Sequence, residues 1–261
     1  MSQWDRQNYP LRSAPRTAVL LAFCVVAFLF AGCSRQSALS AYRQGNYADS
    51  LREYQAAGNP EGDFATGVMY YKGEGVAPDP AQAAIWFRRA ADAGHAGAQY
   101  NLGLLYLNGE GGAKDHREAS RWFRLAAEQD NVKAQLNLGL MCAQGDGVTK
   151  DLGETLRWFS RAAQLGSSKA QVYLGEMYFR GEGVPKDQSC AAHWFRLAAT
   201  QGSVEAQMYL GAMYLQGQGV RKDREEAAAW FSKAAAQGSQ RARQLLKKMH
   251  PGYAPETGRG S

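Results

Sequence analysis

The 261-residue sequence has few of the residue groups that form metal sites or disulfide frameworks. Its four cysteines, Cys24, Cys33, Cys142 and Cys190, form no CxxC pair and have no histidine at metal-ligand spacing. Cys24 falls inside an apolar run near the N-terminus, so only Cys142 and Cys190 belong to the rest of the chain. The spacing predicts no zinc site. A disulfide between these two stays open, because it requires Cα atoms within about 7 Å.

Motifs that mark several enzyme classes are also missing. No lysine is followed by serine or threonine, as the P-loop requires, and no serine is followed by lysine three positions later, as in serine β-lactamases. There is no HExxH pair, and the histidines are scattered along the chain: His95, His116, His193 and His250. We therefore predict that the protein is not an enzyme and binds no cofactor or metal ion.

The charge pattern argues against one class of partner. The formal net charge is +6, with 30 Lys and Arg residues against 24 Asp and Glu residues. No basic run interleaved with aromatic residues is present, although such a run is typical of surfaces that follow a nucleic acid backbone. We therefore predict no nucleic acid partner and interpret the charges as a solvated surface.

The N-terminal residues have the order of an export signal. Arg6, Arg12 and Arg16 precede the apolar residues 17–31, and Gly32 and Cys33 follow them. Residues 29–33, Leu-Phe-Ala-Gly-Cys, resemble the lipobox of bacterial lipoproteins. The resemblance implies that residues 1–32 are removed, that Cys33 carries the lipid and that residues 33–37 form a linker. The alternative is an uncleaved anchor, for which the apolar run is short, since a helix needs about 20 apolar residues to cross a bilayer.

The same residues predict a location for the rest of the chain. Arginines before the apolar run favour a cytoplasmic N-terminus, so the following residues face the far side of the membrane. Ser34, rather than aspartate, follows the cysteine. By resemblance to the sorting of bacterial lipoproteins, this implies an anchor in the outer membrane, with the protein facing the periplasm.

What the sequence does contain is a period of 36 residues. Five of the six tryptophans follow one another at this interval: Trp86, Trp122, Trp158, Trp194 and Trp230. The same interval separates five glycines: Gly67, Gly103, Gly139, Gly175 and Gly211. It also separates five aspartates: Asp79, Asp115, Asp151, Asp187 and Asp223. Self-similarity at this length predicts an array of stacked supersecondary units.

The repeat at residues 97–132 predicts a first helix, called helix A. Its apolar residues recur at steps of three and four: Ala98, Leu102, Leu105 and Tyr106. Gly103 lies inside this helix and returns in every repeat. Because glycine in a helix interior costs about 1 kcal/mol relative to alanine, its return predicts close approach by the backbone of a neighbouring helix.

A glycine-rich turn and an aspartate precede the second helix, called helix B. We interpret the glycines of residues 109–112 as turn residues with positive φ. Asp115 and Glu118 occupy the two positions of a capping box, in which each side chain bonds a backbone N–H near the other. Helix B carries a Trp-Phe pair that we place in the core. Most copies end at a glycine, and Asp130 replaces it in the second repeat, where we expect a looser turn.

These positions together resemble the Sel1-like repeat, a relative of the tetratricopeptide repeat with longer loops. The resemblance implies an all-α fold, a right-handed α/α superhelical solenoid with five repeats of 36 residues over 58–239. Residues 38–57 resemble a tetratricopeptide helix pair that caps the N-terminal end. Residues 240–249 are expected to form a C-terminal capping helix, and the polar, Pro- and Gly-containing residues 250–261 a disordered tail.

Repeats of this family generally act as adaptors, with helix A lining a concave groove for a protein partner. We select as groove residues those that differ between repeats: Tyr71, Lys72, Tyr100, Asn108, Glu176, Phe179 and Arg180. The alternative for each is packing against adjacent helices, because helical periodicity does not separate core from groove. The resemblance thus implies a protein-binding scaffold, in an envelope assembly or secretion complex given the predicted lipid anchor. Whether the groove receives protein or glycan stays open.

A hydrolase is the competing hypothesis for function. A secreted, cysteine-rich branch of the family is linked with binding or hydrolysis of β-lactams, which implies a cell-wall or β-lactam-interacting protein. That branch pairs cysteines within each repeat, and this sequence does not place two cysteines in any repeat.

Overall fold

The computed structural model describes residues 36–249, which form helices joined by turns, without a strand among them. Residues 36–43 form α1. The other helices are α2 (Tyr47–Ala57), α3 (Pro60–Lys72), α4 (Pro80–Asp92), α5 (Ala96–Asn108), α6 (His116–Glu128), α7 (Val132–Gln144), α8 (Leu152–Gln164), α9 (Ser168–Arg180), α10 (Gln188–Thr200), α11 (Val204–Gln216), α12 (Arg224–Ala236) and α13 (Gln240–Met249). Residues 1–35 and 250–261, with the predicted signal, Cys33 and the tail, lie outside the described residues.

The described residues divide into two compact units, 36–89 and 90–249, with the boundary inside α4. Helices A are α3, α5, α7, α9 and α11, and helices B are α4, α6, α8, α10 and α12. In the second unit each helix from α5 to α13 packs on the next one along the chain, and in the first unit α2 packs on α3, in agreement with the predicted all-α repeat fold. No helix between residues 36 and 249 combines the length and apolar character that crossing a bilayer requires.

The core of the second unit is shared between successive repeats. One cluster joins Phe123 of α6 to Leu138, Met141 and Cys142 of α7, and Trp158 of α8 completes it. All five side chains are at most 4% exposed. Apolar surface is therefore removed from water between neighbouring repeats as well as inside single repeats, as expected of a solenoid.

Aspartates begin the helices B, as the sequence predicts. The Asp115 carboxylate accepts a hydrogen bond of 3.0 Å from the backbone N–H of Glu118, and the equivalent aspartates do the same in the other repeats. The second hydrogen bond of the predicted capping box, from the backbone N–H of the aspartate to the glutamate side chain, is replaced by a different one. The N–H of Asp151 donates to the carbonyl of Cys142 at 2.9 Å, because the chain folds back along helix A at this point. The Glu154 side chain instead accepts hydrogen bonds from other residues, described below.

The glycine inside helix A admits an aromatic ring of helix B. A Cβ placed on Gly103 would lie 2.7 Å from the Phe123 ring, and the same contact recurs at Gly139 with Phe159. The predicted close approach of a neighbouring helix is therefore correct in position, but a side-chain ring makes the contact rather than a backbone. The phenyl ring of helix B fills the space in which the Cβ of any larger residue at the glycine position would lie.

The glycine-rich turns also contact the preceding repeat. Gly109 and Gly111 have the predicted positive φ, whereas Gly112 does not. Gly183 has φ +73°, and a Cβ there would lie 2.7 Å from the Cβ of Leu152. Leu152 is the first residue of α8, in the previous repeat. This turn therefore rests on the start of a helix B one repeat earlier, as do the turns at Gly147 on His116 and at Gly219 on Gln188.

Asp130 ends α6 without the looser turn that we expected. It has φ +61°, the only positive φ of a non-glycine residue within 36–249. The N–H of Asn131 donates to Ala126 at 3.1 Å, as the N–H of Ser167 donates to Ala162 at 3.0 Å in the next repeat. Aspartate tolerates the left-handed conformation better than most residues. Its carboxylate also accepts a 2.7 Å hydrogen bond from Arg161, which holds the turn closed.

Candidate functional site

The seven predicted groove residues lie in both units. Tyr71 and Lys72 belong to the first unit, at the end of α3. Tyr71 is 44% exposed, and the Lys72 ammonium is 3.5 Å from a carboxylate oxygen of Glu74. Both side chains reach the surface of that unit.

Tyr100 and Asn108 lie two turns apart on α5. Tyr100 is half-buried, its ring centroid is 5.8 Å from that of Phe123, and burial raises the pKa of its hydroxyl. Tyr100 therefore packs against its own repeat to a large extent, as the packing alternative anticipates. Asn108 is exposed and donates a 2.8 Å hydrogen bond to Glu110.

The structure brings Glu176, Phe179 and Arg180 together on α9. Arg180 is 3.5 Å from the Glu176 carboxylate, which also accepts a 2.5 Å hydrogen bond from the hydroxyl of Tyr209 on α11. That hydrogen bond, followed by burial, raises the pKa of Tyr209. The ring centroids of Phe179 and Tyr209 are 6.5 Å apart. These four side chains form one connected surface between the helices A of the fourth and fifth repeats.

A cavity of about 470 Å³ adjoins this surface. It lies between α9, α11 and α13 and is therefore contained in the second unit. Phe179, Met208, Tyr209 and Leu245 supply apolar and aromatic walls, and the exposed Glu205 and Arg241 add one charge of each sign. An apolar cavity with a few polar groups is the usual composition of a binding site. We call this the C-terminal cavity.

Sequence reasoning missed Tyr209, Glu205, Arg241 and Leu245. Tyr209 differs from the asparagines at the same position of the second and third repeats, so variation between repeats could have found it. Arg241 and Leu245 belong to α13, which lies beyond the last period. No comparison between repeats could have selected them.

The first unit has a smaller cavity of about 260 Å³. Its walls come from α1, α2 and α3, and its lining is mostly aromatic and aliphatic: Leu39, Tyr42, Tyr54, Glu61, Phe64, Ala65, Val68 and Met69. The predicted residues Tyr71 and Lys72 do not line it.

A polar cluster in the third repeat surrounds Glu154. Its carboxylate accepts hydrogen bonds from Arg124 and, at 3.0 Å, from Arg157. The Arg124 hydrogen bond lowers the pKa of Glu154 to about 2. Burial, assisted by the Glu154 charge, raises the pKa of the Cys142 thiol to about 12. This buried thiol is therefore protonated and structural at neutral pH.

Cys142 and Cys190 form no disulfide with each other. Cys142 and Cys190 are both free thiols, which answers the question that the sequence left open. Within residues 36–249, no group of three or more His, Cys, Asp or Glu side chains could hold a metal ion.

Comparison with known proteins agrees with this architecture. The Sel1 repeat model matches five consecutive segments: residues 60–95, 96–131, 132–167, 168–203 and 204–239. A search of curated proteins finds no match.

Two solved structures have the same fold. A Sel1 repeat protein from Oxalobacter formigenes is 32% identical with a TM-score of 0.78, and the alignment covers 85% of this chain and 93% of that one. A protective antigen of uropathogenic Escherichia coli, which displays an SLR fold, is 35% identical with a TM-score of 0.78 over 84% of this chain. The chain spans about half of that antigen, since 51% of it is covered.

These matches confirm the predicted fold class, an all-α solenoid of Sel1-like helix pairs. The family model covers every repeat from residue 60 to residue 239. The chain is a member of the Sel1 repeat family.

Proposed function

We propose that this chain is a lipid-anchored scaffold of the bacterial cell envelope that binds a protein partner through the C-terminal cavity. Sel1 repeat proteins typically mediate protein–protein interactions, and their fold is generally non-catalytic. The observation that carries the proposal is the connected surface of Phe179, Tyr209 and Arg180 beside a cavity of about 470 Å³.

The chemistry of this surface suits a protein partner. Aromatic side chains and arginine are enriched among the residues that dominate binding energy, and polar groups at the rim fix orientation. Phe179 and Tyr209 would supply the apolar anchors. Arg180, whose side chain is 51% exposed, would supply a charged contact at the rim.

Variation between repeats supports the same surface. At the position of Phe179 the neighbouring helices A carry Ala143 and Leu215, although the surrounding core residues repeat closely. A side chain that varies on a constant frame can determine which partner binds, without a change in the fold. Specificity for one partner can therefore reside in the fourth and fifth repeats.

The anchor is proposed from the first 33 residues. Their arginines, apolar run and terminal Gly32-Cys33 support export and lipidation at Cys33, and Ser34 supports the outer membrane with the repeats in the periplasm. A partner in an envelope assembly or secretion complex follows from that location.

Site-specific photocrosslinking in cells tests the binding surface. A photoreactive amino acid at Arg180 reports on the proposed surface, and one at Arg121, an exposed residue of helix B, provides the matched control. We expect one protein to crosslink from position 180 and not from position 121. Phe179→Ala should abolish that crosslink, whereas Leu125→Ala, at an exposed apolar residue of helix B, should leave it unchanged.

Crosslinking of the same proteins from both positions would contradict the assignment of the surface. Circular dichroism of each variant verifies that the helices are retained. Hydrolysis of nitrocefin by the purified chain would contradict the non-catalytic part of the proposal and favour the β-lactam hypothesis.

Metabolic labelling with palmitate tests the anchor. The parent chain should incorporate label and fractionate with outer membranes, and Cys33→Ala should do neither. Label in the Cys33→Ala chain would show that the lipid is elsewhere, and a parent chain without label would contradict the lipoprotein assignment.

A further inference from the structure

The C-terminal cavity is lined by Arg241 and Leu245 of α13, the helix that residues 250–261 follow in the sequence. We propose that this C-terminal segment of the same chain docks in the cavity and competes with the protein partner there. The proposal rests on the function proposed above, because it assigns a regulator to the same surface.

The hydrogen bonds show at which end of the cavity the segment begins. Arg224, the first residue of α12, donates a 2.8 Å hydrogen bond to the carbonyl of Met249. The end of α13 therefore lies beside the start of α12. The turn from α11 into α12 contains Gln218, which lines the cavity together with Gln216 at the end of α11. The end of α13 therefore lies toward the end of the cavity that these two glutamines form.

The segment is long enough to follow the cavity back. Glu205 and Gln216, which line opposite ends, are eleven residues apart on α11, or about 16 Å along the helix axis. If Pro251 and Gly252 form a turn, residues 253–259 can extend over about 23 Å. An antiparallel path along α13 therefore reaches from the glutamines to Glu205 and Arg241.

The apolar residues of the segment match the walls of the cavity. Tyr253 lies between Pro251 and Pro255, and the prolines favour an extended conformation. Proline-containing segments in this conformation dock in grooves lined by aromatic residues. Phe179 and Leu245 line the cavity and would receive the ring of Tyr253.

The charges match in the same orientation. Arg241 precedes Met249 by eight residues, or about 12 Å of helix. Glu256 follows Gly252 by four residues, or about 13 Å of extended chain, so it would lie beside Arg241. Arg259 would then lie near Glu205. Both charged wall residues are exposed and each acquires a partner of opposite sign.

A fluorescent peptide with the sequence of residues 250–261 tests this docking on the full chain in detergent. The attached segment has a high effective concentration, so it should exclude the peptide from the parent chain. Tyr253→Ala in the chain should release the cavity and raise the affinity for the peptide about tenfold. Thr257→Ala, which changes the same segment outside the proposed anchors, should leave the affinity at the parent value.

A charge exchange tests the orientation. In the Tyr253→Ala chain, Arg241→Glu should weaken binding of the peptide about threefold. A peptide with Glu256→Lys should recover that loss. No recovery would contradict the predicted pairing, and equal affinity of the parent and Tyr253→Ala chains would contradict docking altogether.

Two further measurements separate the possible failures. Sedimentation of the parent chain should show a monomer. A dimer that Tyr253→Ala dissociates would mean that the segment docks on a second copy, which would overturn the proposal. If the partner crosslinks in cells from position 180 but the peptide binds neither chain, the docked segment is refuted and the scaffold function stands. If the peptide binds but no partner crosslinks, the scaffold function is contradicted and docking of the segment is retained.

Discussion

The side-chain amide of Gln129 donates a 2.8 Å hydrogen bond to the side-chain oxygen of Gln99, thirty residues earlier. The same pair recurs between Gln201 and Gln171 and between Gln237 and Gln207. The inner glutamine is buried in each pair and donates to a backbone carbonyl at the end of the preceding helix B, as at Ala91. Two successive repeats are thus joined by side-chain amides as well as by apolar contacts.

The third repeat lacks one of these hydrogen bonds. Gln135 is fully buried and its amide donates to Ala127 at 3.0 Å, but its side-chain oxygen has no hydrogen-bond partner. The residue thirty positions later is Leu165, which is 48% exposed. Leu165→Gln should supply the missing donor and raise the free energy of unfolding by about 1 kcal/mol. Urea denaturation measures the change, and Leu125→Gln, which alters an exposed leucine without a buried acceptor, should give no comparable gain.

Alanine at the helix A glycines should destabilise the protein. Gly139→Ala places a Cβ against the Phe159 ring, which should cost about 1–3 kcal/mol through overpacking. In an unconstrained helix the same change would stabilise by about 1 kcal/mol. Gly112→Ala provides the control, because a Cβ there has no neighbour within 4 Å. If thermal denaturation shows that Gly139→Ala is the more stable variant, the ring contact is not the reason for the glycine.

Glu154 should make stability depend on pH in the acid range. Its pKa is lowered from 4.5 to about 2 by the hydrogen bond from Arg124, so its contribution is complete above about pH 5 and is lost as pH falls toward 2. Glu154→Gln should therefore lower the free energy of unfolding by about 1–3 kcal/mol at pH 7. The difference from the parent chain should shrink below pH 4. Glu118→Gln, at the same position of the preceding repeat, is the control. If the free energies of unfolding of Glu154→Gln and the parent chain differed by the same amount at pH 7 and pH 3, the assignment would be contradicted.

The two free thiols should differ in reactivity. Cys142 is fully buried and the pKa of its thiol is raised to about 12, whereas Cys190 is partly exposed. Iodoacetamide at pH 8 should therefore modify Cys190 first, and Cys142 about tenfold more slowly, because the thiolate is the reactive form. Mass spectrometry of the two peptides measures both rates. Equal rates would mean that the helices around Cys142 open readily.

The period predicted most of this structure because each repeated position has one physical role. Asp115 begins helix B and Phe123 fills the core in the same way in every copy, so five copies support each inference. The glycine at 103 was located correctly, but the sequence could not show whether a ring or a backbone approached it. The sequence pattern also could not show that Asp130 would adopt the left-handed backbone conformation that glycine has at this position in other repeats.

The site was less predictable for a different reason. Glu176, Phe179 and Arg180 meet on one surface because they share a helix, which periodicity can show. Their contacts with Tyr209 and the walls contributed by α13 depend on packing between helices that are far apart in sequence. Whether these residues bind a partner stays a prediction that the crosslinking experiment tests.

The glutamine hydrogen bonds fix how the array can change in length. The inner glutamine of each pair bonds the preceding helix B, and the turns at Gly147, Gly183 and Gly219 rest on the helix B of the previous repeat. A junction between two whole 36-residue repeats therefore presents the inner glutamine to an equivalent carbonyl of the preceding helix B. Gene duplication in whole periods can therefore lengthen such a protein without a new kind of interface.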